Sequence, residues 1–188
     1  MSDVPKCDDK EILKLLKNEE SSEKGFRLLM GMYKVRLYHH IRQLVGNHED
    51  ADDVLQNVFI KVFRNINNFE EKSGLYTWLY RIATNESLTF IQSQKRKQTI
   101  SIDDVVIDIS DKTSEEFFDE KHLQIKLEKA IDLLPAKQKA VFHLRYYDEM
   151  TYEDMSSILD TSVGALKASY HHAVKKLNHL LKVLINKK

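Results

Sequence analysis

The run from Leu134-Pro135 to Lys167 constrains the fold of this 188-residue chain more than any other stretch. Pro135 suits a first helical position, where its missing N–H costs nothing. Thr151 and Asp154 stand as Thr-x-x-Asp, a capping box opening a short helix. Asp160 tolerates turn backbone, and Ser162 is placed to cap the helix after it. A helix, a break, a short helix, a three-residue turn and a long basic helix make the layout of a helix-turn-helix. In that motif the last helix lies in the DNA major groove.

The faces of the last helix agree with that reading. At the helical period Val163, Leu166, Tyr170, Ala173, Val174, Leu177 and Leu181 share one side, which must be core. Opposite them lie Gly164, Ala165, Ala168 and Ser169, then His172, Lys175 and Lys176. Small side chains let the backbone approach base edges, and cations meet phosphates, which carry affinity but little sequence information. From Thr161 onward there are six lysines and no acid.

Overall charge predicts no partner, because Lys plus Arg equals Asp plus Glu at 29 each. Its distribution is more telling. Residues 101–120 hold eight acids against Lys112 alone, and this block separates Lys95-Arg96-Lys97 from the basic last helix. Five Gly and two Pro among many Leu, Ile, Lys and Glu favour an all-α fold. The single Cys7 excludes an intrachain disulfide framework and a cysteine metal cluster. No metal or other cofactor is expected. No apolar run reaches membrane length and no signal-peptide pattern is present, so the chain reads as cytoplasmic.

The organisation expected is two small helical domains joined by a flexible acidic linker. Residues 1–21 form a polar N-terminal segment with one short helical stretch at Ile12–Leu16. The first domain covers 22–97, with helices from about Glu23 to Val45, Asp50 to Ile66 and Gly74 to Lys97, the first stopped by Gly46-Asn47. Residues 98–118 read as linker, although its apolar Ile102, Val105, Val106, Ile107 and Ile109 suit a segment that docks. The second domain covers 119–188, its first helix burying Leu123, Leu127, Ala130, Ile131 and Leu134.

In the second helix Val54, Leu55, Val58, Phe59, Val62 and Ile66 form the buried stripe. The opposite face carries Asp53, Gln56, Asn57 and Arg64 around Ile60, the composition of a small protein-binding patch. In the third helix Leu75, Trp78, Leu79, Ile82 and Phe90 point one way as core. Tyr76 and Tyr80 flank that stripe, with Arg81, Asn85 and Lys95-Arg96-Lys97 on more solvated sides. Aromatics interleaved with cations suit single-stranded nucleic acid, and the Asn67–Lys72 loop offers amides and a carboxylate to an unstacked base.

Three segments together carry a resemblance: Asp50-Ala51-Asp52-Asp53-Val54-Leu55-Gln56-Asn57-Val58-Phe59, Thr77-Trp78-Leu79-Tyr80-Arg81-Ile82-Ala83-Thr84-Asn85, and Leu134-Pro135…Gln138 with the helix-turn-helix. Their order and spacing resemble bacterial sigma factors of the extracytoplasmic-function type, over roughly residues 22–97 and 120–185. The resemblance implies a non-enzymatic subunit that binds core RNA polymerase, selects promoter DNA, assists melting and is often held by an anti-sigma factor. It implies polymerase contact through Asp53, Gln56, Asn57, Ile60 and Arg64. It implies capture of the minus-ten element by Asn67, Asn68, Phe69, Glu70 and Lys72, continued along Tyr76, Tyr80, Arg81, Asn85, Lys95, Arg96 and Lys97. It implies reading of the minus-thirty-five duplex by Ser162, Gly164, Ala165, Lys167, Ala168 and Ser169, then His171, His172, Lys175 and Lys176. Asn57 stands where such proteins commonly carry Glu, Ser169 and His172 where they often carry Arg, and Asp160 where a turn Gly is common.

Two other classes compete. A two-domain transcriptional regulator would use the same helix-turn-helix without joining polymerase. An enzyme fits poorly, because Asp50, Asp52 and Asp53 scatter around a helix and no nucleophile–base pairing is visible. The pairs His39-His40 and His171-His172 point to different sides of their helices and make poor joint metal ligands.

Overall fold

The computed structural model describes residues 8–99 and 120–186, and among these every regular element is helical. The first half holds α1 (Asp9–Leu16), α2 (Ser22–Val45), α3 (His48–Asn65) and α4 (Leu75–Thr99), with a 3-10 turn over Ile66–Asn68 leading towards α4. The second half holds α5 (Glu120–Asp132), α6 (Ala136–Tyr146), α7 (Tyr152–Leu159) and α8 (Val163–Asn186). The acidic block, its apolar residues and Cys7 lie outside the described residues, apart from Glu120.

Local chemistry sets the helix ends. Gly46 takes φ 100°, a left-handed conformation that closes α2 through a bond from its N–H to the Arg42 carbonyl. Asn47 then accepts the Asp50 N–H at 2.8 Å and opens α3. Thr151 accepts the Asp154 N–H at 3.1 Å, and its hydroxyl donates to the Asp154 carboxylate at 2.7 Å. Asp160 ends α7 at φ 49°, and Ser162 accepts the Ala165 N–H at 3.3 Å to open α8. Pro135 differs by one position from expectation. Its ψ of 140° is extended, so the chain bends there and the helix starts at Ala136.

The two helical domains pack against each other. Leu29, Leu37, Ile41, Val58, Val62 and Leu79 of the first half are fully buried. Leu144, Met155, Ile158 and Leu166 of the second half belong to the same hydrophobic core. Helix α4 packs on α7, and α2 on α6. A smaller core of Ala130, Ile131, Leu134, Phe142, Ala173 and Leu177 joins α5, α6 and α8. Leu123 was expected inside but is 48% exposed, because α5 reaches this core through its C-terminal turns.

Candidate nucleic-acid and protein interfaces

The buried stripe of α3 is as the sequence predicts, with Val54, Leu55, Val58, Phe59, Val62 and Ile66 all inside. This leaves Asp53, Gln56, Asn57, Ile60 and Arg64 exposed. The patch is larger than the sequence reading made it. Ile60 borders a groove of about 650 Å³ between α2 and α3, whose walls include Phe26, Met30, Phe59 and Phe63. Phe26 meets the rings of Phe59 and Phe63 edge-on at 6.0 and 5.5 Å, while Phe63 remains 57% exposed. Lys34, Asp52 and Arg64 supply charge around these apolar walls. An apolar groove with charge around it is the shape that accepts an amphipathic helix. Phe63 follows Ile60 by three positions, so a second apolar residue outside the buried stripe was the signal available in the sequence.

The loop before α4 is joined at Glu71 to the end of α1. Lys17 bonds Glu71 at 2.6 Å, Lys72 pairs with Glu70, and Glu71 takes φ 57°. Asn67, Asn68, Glu70 and Lys72 are exposed, as a base-reading loop requires. Phe69 is a correction, because it is only 5% exposed with its ring 4.9 Å from that of Trp78. It anchors the loop from below, and Trp78 packs as expected.

Along α4, Arg81, Asn85, Lys95 and Arg96 are exposed, while the Lys97 side chain lies outside the described residues. Tyr80 is the second correction. Expected to flank the core stripe and meet the minus-ten strand, it is 2% exposed, 4.4 Å from the half-buried Tyr76 ring and 4.9 Å from His40. Burial, followed by the charge of Asp148, pushes its hydroxyl far above the usual phenol range, so it stays protonated and donates to Asp148 at 3.3 Å. Burial raises Tyr76 as well. The sequence reading missed His40, Thr77, Asp148 and Asp154, which converge on this face from α2, α4, the α6–α7 turn and α7.

Helix α8 presents its two faces as read. Leu166, Ala173 and Leu177 are buried, with Val163, Tyr170, Val174 and Leu181 half-buried. Ser162, Gly164, Ala165, Lys167, Ala168, His171, His172, Lys175 and Lys176 are exposed, and Ser169 is half-buried. Lys167 lies 5.6 Å from the centre of the Tyr152 ring and Arg145 lies 5.1 Å from it, bringing two cations close to the N-terminal end of α8. Among the described residues no cluster of His, Cys, Asp and Glu could hold a metal, and no helix is long and apolar enough to cross a membrane.

Comparison with known proteins follows the same division. Residues 29–97 match the family described as Sigma-70 region 2, and residues 124–177 match Sigma-70, region 4. The chain is 28% identical over 181 residues to the ECF RNA polymerase sigma-E factor of Escherichia coli, covering 90% of this chain and 93% of that one. It is also 28% identical over 177 residues to the ECF RNA polymerase sigma factor SigW of Bacillus subtilis, covering 88% and 94%. The fold is similar to that of the sigma factor RpoE of Bartonella quintana, solved with the anti-sigma factor NepR. There the TM-score is 0.65 at 26% identity, over 85% of this chain and 98% of that one. CnrH, solved with the cytosolic domain of CnrY, shares the fold at a TM-score of 0.68 and 19% identity, over 93% and 97%.

Proposed function

Because this chain belongs to the extracytoplasmic-function group of the sigma-70 family, we propose that it is a dissociable specificity subunit of RNA polymerase. It binds the core enzyme in the cytoplasm, directs it to promoters and helps open the duplex, without a covalent step of its own. The α3 face receives polymerase through Asp53, Gln56, Asn57, Ile60 and Arg64, and Phe26, Met30 and Phe63 widen the apolar seat. The Asn67–Lys72 loop and the exposed Arg81 and Asn85 of α4 take the minus-ten strand, with Lys95 to Lys97 following its backbone. Helix α8 reads the minus-thirty-five duplex, with small residues facing base edges and His172, Lys175 and Lys176 facing phosphates.

The observation that carries this reading is the α3 groove and the basic α8 face on one chain. A simple DNA-binding regulator needs the second and leaves the first without a purpose. The Bartonella relative was solved with an anti-sigma factor. An inhibitor of that kind would compete with polymerase for the α3 groove here. The test is co-elution of the purified chain with core RNA polymerase, followed by run-off transcription from fragments of the native genome. Stable association with new promoter-specific transcripts is the expected result. Failure to associate, with sequence-specific duplex binding by the free chain, would overturn it in favour of the regulator.

A further inference from the structure

Between the end of α2 and the helices α5 and α6 lies a crevice of about 480 Å³ that no interface described above uses. That volume falls within the range of small-molecule sites. His143 lines it from α6, 3% exposed, with neither ring nitrogen partnered among the described residues. Arg42 lines it from α2, and its Nε is buried and likewise without a partner among those residues. Buried polar groups are ordinarily hydrogen-bonded, so two such side chains on one crevice need an explanation. Their neighbours do not supply it, being engaged with one another. Lys139 donates to Asp132 at 2.7 Å, Gln124 to Glu128 at 3.4 Å, and the Tyr38 hydroxyl pairs with His48 at 2.5 Å.

The unmet groups define what satisfies them. A guanidinium Nε only donates, and its charge favours an anionic acceptor. Burial holds His143 neutral at ordinary pH, with one ring nitrogen donating and the other accepting. A hydroxyl, which both donates and accepts, suits such a ring. A second anion there would face the exposed carboxylates of Glu128 and Asp132. Ile131 is buried, Leu127 is half-buried, and Tyr147 stacks its ring on that of His143 with centres 5.1 Å apart. These apolar walls fit a flat hydrocarbon body. We propose that the crevice binds a small aromatic acid bearing one carboxylate and one hydroxyl, the carboxylate on Arg42 and the hydroxyl on His143. None of the residues given to polymerase or promoter lines it, so the occupant is a third kind of partner. Helix α2 lies in one half of the chain and α5 and α6 in the other, so the acid touches both halves and stabilises the folded protein by mass action.

The test uses the full chain, with para-hydroxybenzoate as the probe and benzoate, which lacks the hydroxyl, beside it. Calorimetry is expected to give saturable binding of para-hydroxybenzoate about ten-fold tighter than that of benzoate, the worth of one buried hydrogen bond. Arg42→Met is expected to weaken both acids by about ten-fold, as loss of a charged donor does. His143→Leu is expected to erase the difference between them. In the unaltered chain the ring-nitrogen resonances of His143 should shift as the probe is added, a readout that serves if circular dichroism finds either variant misfolded. Absence of saturable binding in the millimolar range would leave the crevice to water and overturn the proposal. Binding that neither variant alters, with the His143 resonances unmoved, would place the acid elsewhere and overturn the site. Equal affinity of the unaltered chain for the two acids would overturn the hydroxyl contact with His143.

Discussion

His143 is buried without a partner for its ring. It is 3% exposed, and neither ring nitrogen has a hydrogen-bond partner among the described residues. Burial first, then the charges of Lys139 and His40, pull its pKa down to about 3. The unfolded chain binds a proton on this ring below its ordinary value of about 6.5, while the folded chain refuses it. Stability is therefore full above that value and falls as the pH drops from there towards 3, with a slope of up to about 1.4 kcal/mol per pH unit from this ring alone. His143→Leu keeps the volume and discards the titration. Its urea midpoint should change less between about pH 7 and about pH 5 than that of the parent chain. An equally steep fall in the variant would place the titration elsewhere. Ile60 is the opposite case, 42% exposed at the border of the α3 groove. Ile60→Glu should leave the melting temperature unchanged and abolish co-elution with core polymerase, because a carboxylate in an apolar seat is desolvated without a partner.

Single elements carry predictions that no lone side chain does. Thr151→Ala removes the acceptor for the Asp154 N–H and should cost about 1 kcal/mol, read as a lowered denaturation midpoint. Gly25→Ala would set a Cβ 2.8 Å from the Leu16 backbone nitrogen, where α1 crosses α2. Better helix propensity offers at most about 1 kcal/mol against an overpacking cost of about 1–3, so the variant should be less stable. On α8, Lys175→Ala should weaken binding about equally on every promoter and reduce the salt slope by about 1, as a phosphate contact does; promoter-selective loss would make Lys175 a base reader. At this scale the sequence was legible where the physics is local. The Gly46 stop, the Thr151 and Ser162 caps, and the buried stripes of α3 and α8 depend on neighbours within a turn or two. Tyr80, His40 and Asp148 were not legible, because helical periodicity marks a flank without saying which distant element covers it. Phe69 failed for a related reason: its loop position suggested solvent, while the Trp78 ring beneath it supplied a core.

The larger of the two cores runs through both halves, from Ile12 and Leu29 to Met155 and Leu166, so the whole molecule should unfold as one cooperative body. Trp78 is the sole tryptophan and reports on the first half, whereas far-ultraviolet circular dichroism reports on every helix. The two signals should share one urea midpoint in the parent chain. In Asp148→Ala they should separate, and a single shared transition there would mean that the core alone keeps the halves together. That shared core also governs how the protein fares before it finds its enzyme. Leu144, Met155 and Ile158 are almost wholly dry while the halves are joined. A chain parted in free solution would wet some of this oily lining and become prone to clumping with its own copies. A surplus of this protein over polymerase is thus best stored shut, with the contact between its halves acting as the seal that keeps the waiting pool dispersed.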